Sequence, residues 1–176
     1  MSLISKNSAQ LIELLNQHIL VLDGAMGTSL QAKNLVATDF GGAEYEGCNE
    51  HLVLTRPDVI QSIHEAYLEA GADIIETNTF GSTALVLAEY QLEAKTDSIN
   101  FEAAQLARKA AHKFSTTSKP RFVAGSMGPT TKAISVTGGV TFEELIQNFY
   151  QQAKGLYEGG VDFLLLETCQ DGRALF

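Results

Sequence analysis

The chain has 176 residues, 45% hydrophobic and 19% charged, a globular balance that excludes a disordered chain. Its net charge is −9 with no basic cluster, which argues against nucleic acid as a partner. No apolar run approaches the roughly 18 residues of a membrane span, and the opening MSLISKNSAQ lacks a signal peptide's apolar core, so a cytoplasmic protein with Cys48 and Cys169 as free thiols is expected.

Residues 8–17 are predicted as a short helix with Leu11, Ile12, Leu14 and Leu15 as its apolar stripe. Residues 19–22, ILVL, read as a strand buried on both faces of a parallel sheet. The strand runs into Asp23-Gly24-Ala25-Met26-Gly27-Thr28, so Asp23 stands at a carboxyl end, where α/β folds place their chemistry. The two glycines are expected to permit a tight turn and the close approach of a ligand. A plain βα turn is the alternative. The spacing is not GxGxxG and no Lys follows, so phosphate binding is not indicated.

Residues 33–50 form a polar loop broken by Gly41-Gly42. Cys48 and His51 have the spacing of half a zinc site, but no second pair exists, and the spacing is read as incidental. Thr55, Pro57 and Asp58 signal a helix start, with Thr55 as the cap. Val59, Ile60, Ile63, Ala66, Tyr67 and Ala70 then repeat at helical spacing up to Gly71. His64, between apolar positions, suits a packing or surface role.

A second strand at 72–75 leads into Glu76-Thr77-Asn78-Thr79-Phe80-Gly81. Residues 82–90 and 99–114 are predicted helices, the second rich in alanine, and 115–120 is a turn. A third strand at 122–124 ends in Gly125-Ser126-Met127-Gly128, and 133–140 is loop. Thr141 and Glu144 form a capping-box pair that opens a helix running to Gly159-Gly160. The fourth strand, 161–166, ends in Glu167-Thr168-Cys169-Gln170-Asp171.

The run from Glu69 to Thr77 resembles that from Glu158 to Thr168: helix end, glycine, Asp, apolar strand, Glu-Thr. The odd Asp-to-Glu separation puts the two acids of each unit on opposite faces of a strand. Repeated βα units build a (β/α)8 barrel, which needs eight strands and about 250 residues. The chain is therefore read as α/β and as the first half of such a barrel, about four βα units. Residues 1–176 would be the amino-terminal part of a single domain, incomplete at its carboxyl end. A four-stranded doubly wound domain is the alternative.

In a barrel, Asp23, Glu76, Ser126 and Glu167 would open on one face. Three carboxylates there suit a cation such as an amino acid's ammonium group. Acid–base catalysis is the rival reading. The plainest reading is that Glu76 and Glu167 anchor neighbouring loops.

The runs LDGAMGTSLQ, GCNEHLVLTRPDVIQSIHEAYLEAGADIIETNTFGST, VAGSMGPTTK and GGVDFLLLETCQD together resemble the homocysteine S-methyltransferase family. They resemble above all the amino-terminal homocysteine-binding domain of cobalamin-dependent methionine synthase. Betaine- and S-methylmethionine-dependent enzymes share the fold and parts of these motifs, and the extended match from Gly47 to Phe80 favours methionine synthase. The likeness covers residues 19–171.

The resemblance implies a (β/α)8 barrel with zinc-bound homocysteine at its carboxyl face, methylated by methylcobalamin and ultimately by methyltetrahydrofolate. It implies that Asp23 and Glu167 hold the amino-acid end of homocysteine, helped by backbone groups of Gly24, Ala25 and Met26. Asn78 and Thr79 would line the same mouth. The family's three zinc-binding cysteines come from later strands, and neither Cys48 nor Cys169 matches one. The departure at Gly172 also falls where the family begins its next helix. The expectation is a substrate-anchoring half-site with no metal ligand and no catalytic residue of its own. Zinc, cobalamin and the cobalamin and folate domains would belong to a longer parent. A non-catalytic half-barrel that pairs with another chain is the alternative, and an unrelated barrel enzyme moving protons with Asp23, Glu76 and Glu167 ranks third.

Overall fold

A computed structural model describes residues 6–132 and 139–169. Most of the loop expected at 133–140, together with Gln170, Asp171 and the departure at Gly172, lies outside the described residues. The helices are α1 (Lys6–Leu15), α2 (Met26–Gln31), α3 (Leu52–Thr55), α4 (Pro57–Ala70), α5 (Ala84–Leu87), α6 (Thr96–Phe114) and α7 (Phe142–Gly159). The strands are β1 (Ile74–Glu76), β2 (Phe122–Met127) and β3 (Phe163–Leu166). They pair in parallel in the order β1-β2-β3, with Glu76 opposite Ala124 and Ala124 opposite Phe163. Strand, helix and parallel neighbouring strand alternate as in part of a (β/α)8 barrel. No described helix is long and apolar enough to cross a membrane.

The two faces of the sheet are covered differently. On one, Ile75 and Val123 pack against Leu68 of α4 and Ala107, Ala110 and Ala111 of α6. Met127 continues that face against Ala104 and Leu156. Alanines on α6 let it lie close to its neighbours. Across from it, a Cβ on Gly159 would sit 2.5 Å from the Ala104 Cβ, so α7 needs glycine there. The other face carries Ile74, Phe122 and Ala124, and α1 covers it with Leu11 and Leu14.

The expected first strand is reduced to a single bridge between Leu22 and Ile74. It is not buried on both faces: Ile19 is 95% exposed, Val21 57% and Leu22 39%. The segment has β1 on one edge and no partner on the other among the described residues, and the helix that follows it packs against α4 rather than over it. In β3, Leu164 and Leu166 are exposed while Phe163 and Leu165 join the α1-covered cluster.

Thr55 does not cap α4. It ends α3, its hydroxyl donating to the His51 carbonyl at 3.3 Å, and Arg56 holds the cap position with φ −136°. A residue before proline is pushed out of the helical region, which places the boundary at Arg56. Thr141 and Glu144 do form the capping box. His64 is fully buried, a packing role.

The repeated aspartates do the same work twice. Asp73 donates its N–H to the Val21 carbonyl at 2.8 Å and accepts the Val21 N–H at 2.9 Å. Asp162 brackets Val123 identically, at 2.8 Å in both directions. Each locks its strand's register onto the preceding one at the amino end of the sheet.

Candidate functional site

The carboxyl end of the same sheet encloses a cavity of about 210 Å³, bordered by Asp23, Gly24, Ala25, Met26, Asn78, Thr79 and Glu167 and also by Gly27, Glu76, Thr77, Phe80 and Ser126. That is smaller than the roughly 300–1,000 Å³ of drug-sized pockets and suits a small metabolite. All seven residues singled out from sequence border it.

Asp23 is fixed by backbone. Its N–H reaches the Ile74 carbonyl at 2.9 Å, and its Oδ1 accepts the Glu76 N–H at 2.9 Å. The chain then turns sharply at Ala25, which is left-handed at φ 50°, ψ 36°. The turn therefore does not depend on the glycines, since neither Gly24 nor Gly27 has positive φ. Their value is space: a Cβ on either would meet no atom within 4 Å, and both border the cavity. Met26 opens α2 with no side-chain cap.

The segment after β1 forms the next wall. Asn78 donates from Nδ2 to the Asn49 carbonyl at 2.8 Å. Thr79 is fully buried, and its hydroxyl donates to the Ser126 carbonyl at 2.7 Å. The Thr79 hydroxyl therefore holds the wall together rather than facing a ligand. Its carbonyl accepts from the buried Gln152 of α7 at 2.8 Å, and Ser82 and Asn100 tie the same loop to α6. Phe80 lies over Gly128, where a Cβ would come within 2.6 Å of the ring. The Gly-Ser-Met-Gly turn was the only sequence signal for that packing.

Glu167 follows β3 and accepts a hydrogen bond from the Ser126 hydroxyl. Thr168 beside it is left-handed at φ 55°, a strained state for a β-branched residue. Glu76 and Ser126 share the sheet face of Glu167. Both were visible in the sequence as polar strand ends, yet neither was placed among the substrate-binding residues.

Burial dominates the electrostatics. It pushes Asp23 up to about 7 against the pull of the backbone N–H groups, with the Glu167 charge adding to the rise. Burial raises Glu76 as well, followed by the charges of Glu167 and Asp23. Among the described residues, no Lys, Arg or His borders the cavity. Uncompensated carboxylates facing one small space form a receptor for a cation.

Among the described residues, no group of three His, Cys, Asp or Glu could hold a metal ion, so they do not fit the zinc that the resemblance implies. Cys48 is packed with Leu87, Leu92 and Ile99, and burial pushes its thiol up to about 11. His51 bonds the Phe40 carbonyl through Nδ1 at 2.9 Å. The Cys-x-x-His spacing therefore serves packing. Cys169 is exposed after β3.

Comparison with known proteins bears on the family and the fold. Homocysteine methyltransferase MmuM from Escherichia coli is similar in its metallated form, with TM-score 0.76 and 25% identity over 94% of this chain and 59% of that one. Its oxidized form gives TM-score 0.77 and 26% identity over 94% and 58%. The chain thus spans less than two thirds of the length of those structures. The family description "Homocysteine S-methyltransferase" matches residues 20–175. The chain belongs to the homocysteine S-methyltransferase family.

Proposed function

We propose that this chain carries the amino-acid-binding half of a homocysteine methyltransferase site, and that residues 1–176 are the amino-terminal part of one barrel domain. The observation that carries this reading is the convergence of Asp23, Glu76 and Glu167 on one cavity that no cation borders among the described residues. Asp23 and Glu167 hold the ammonium group of homocysteine. Backbone groups of Gly24, Ala25 and Met26 hold the carboxylate, with Asn78 and Thr79 shaping the mouth.

The methyl acceptor is the homocysteine sulfur and the product is methionine. We place the parent with cobalamin-dependent methionine synthase, on the extended likeness of residues 47–80, with methylcobalamin as donor, ultimately recharged from methyltetrahydrofolate, and with cobalamin and folate domains elsewhere in the parent. A donor of the betaine or S-methylmethionine type is the alternative. Zinc, when bound in the parent, favours the substrate thiolate. This chain's residues bind and orient. Among the described residues there is no donor set for zinc, and the chain alone is expected to transfer no methyl group.

Calorimetric titration of the chain with homocysteine tests the assignment. Asp23→Asn and Glu167→Gln should each weaken binding at least tenfold, about 1.4 kcal/mol or more. Unchanged affinity in both variants would overturn it.

A further inference from the structure

A second cavity, of about 220 Å³, opens at the amino end of the sheet, between α1, α6 and the start of β2. Its polar walls are Asn7 and Gln10 of α1, Arg108 and His112 of α6, Ser115, and Arg121 just before β2. Among the described residues, no Asp or Glu borders it. The end of α6 and a turn separate the two arginines in sequence, so no basic run announces them, and the return from helix to strand brings them to one space.

Each guanidinium is anchored through one nitrogen. Arg108 Nη1 donates to Asp162 at 2.7 Å. Arg121 Nη1 donates to the Gly71 carbonyl at 3.0 Å and to the Ala72 carbonyl, with Asp73 at 3.7 Å. Both of those aspartates also accept a strand N–H, from Val123 and Val21. Nε and Nη2 of both arginines have no acceptor among the described residues. Arg121 is the sharper case: its side chain is 8% exposed, and its Nε is buried with no partner. Such an orphaned donor signals a missing water or ion. The Nε–Nη2 edge is the side of a guanidinium that takes two oxygens of an oxyanion in parallel. A carboxylate has oxygens for one such edge. A phosphate has enough for two.

We propose that this cavity is a binding site for a phosphate group, free or as a monoester, held by the Nε–Nη2 edges of Arg108 and Arg121, with His112, Gln10 and Asn7 around it. The site is separate from the acidic cavity and does not rest on the homocysteine reading.

Inorganic phosphate titrated into the 15N-labelled whole chain at constant ionic strength tests this, with the arginine Nε–H signals as the readout. Saturable movement of the Arg108 and Arg121 signals is expected, with the amides of residues 23–27 and 76–80 unmoved and the thermal midpoint raised. Methyl phosphate separates the two sources: binding as tight as that of phosphate supports a monoester site, and weaker binding supports a site for the free ion. Gln10 is exposed, so Gln10→Glu places a carboxylate at the cavity without removing either arginine. It should weaken phosphate binding at least tenfold while leaving the phosphate-free thermal midpoint in place. Arg121→Lys keeps the charge, loses the fork and should weaken binding similarly. No movement of either arginine signal, or equal movement with chloride, would overturn the site and leave water as the partner of Arg121 Nε. Tighter binding of acetate than of phosphate would overturn the phosphate class. Unchanged phosphate affinity in Gln10→Glu would overturn the placement.

Discussion

The two ends of the sheet use the same acidic side chains for opposite purposes. At the amino end, Asp162 is buried, accepts the Val123 N–H at 2.8 Å and meets Arg108 at 2.7 Å. Asp73 accepts the Val21 N–H and has Arg121 at 3.7 Å and Lys119 at 3.9 Å. At the carboxyl end, Asp23, Glu76 and Glu167 share a cavity with no cation on its walls among the described residues. Carboxylates whose charge is matched locally set register. Carboxylates left unmatched are costly to the fold, and that cost is what a cationic ligand removes.

Substitutions at the two ends should therefore move stability in opposite directions. The largest effect is expected at the amino end. Asp162→Ala orphans the buried Val123 N–H and should destabilise by about 1–3 kcal/mol, with a smaller part from Arg108, which is partly exposed. Urea unfolding measures this, and a neutral result would remove the register role.

At the carboxyl end, Asp23→Asn keeps an acceptor for the Glu76 N–H while removing an unmatched charge. It should stabilise the apo chain by about 1–2 kcal/mol at pH 8 while weakening homocysteine binding. The pH dependence fixes the sign. Asp23 has a native pKa of about 7, above its unfolded value of 3.8, so the native state binds more protons between those values. Its contribution to stability is fully present below about pH 4 and is lost as pH rises through about 7. Asp23→Asn should flatten that limb of a pH series of urea midpoints. A variant that is less stable than the parent at every pH would contradict the unmatched-charge account. The smallest effect is expected at the turn: Ala25→Gly relieves a left-handed alanine and should change stability by about 0.5–1 kcal/mol or less, read as a small rise in thermal midpoint.

Much of this contrast was legible from residue order. The paired Asp–strand–Glu units predicted that the two acids of each unit face different ways. The structure agrees: Asp162 meets Arg108 of α6, while Glu167 meets Ser126 beside the cavity. Gly71 and Gly160 end their helices in the left-handed state, and the three strands of the sheet lie at or within a few residues of where apolar runs placed them.

The misses have local causes. Apolar content made residues 19–22 look like a buried strand, but burial depends on a partner on each edge, which composition does not reveal. Thr55 had the chemistry of a cap, but Pro57 fixed the boundary one residue later. The left-handed turn fell on Ala25 rather than on either flanking glycine. Glu76 was recognised as an acid at a strand end, but that its carboxyl group has no donor among the described residues is a property of packing, visible only once Ser126 and the Glu76 N–H are seen to serve the other two acids.

The most direct test of the central claim is amide chemical-shift mapping of the labelled chain with homocysteine and with 4-mercaptobutanoate, which lacks only the ammonium group. The account predicts that homocysteine moves the amides of residues 23–27, 76–80 and 167, and that the analogue leaves them largely in place. Equal shifts with both compounds, or shifts confined to other surfaces, would contradict it.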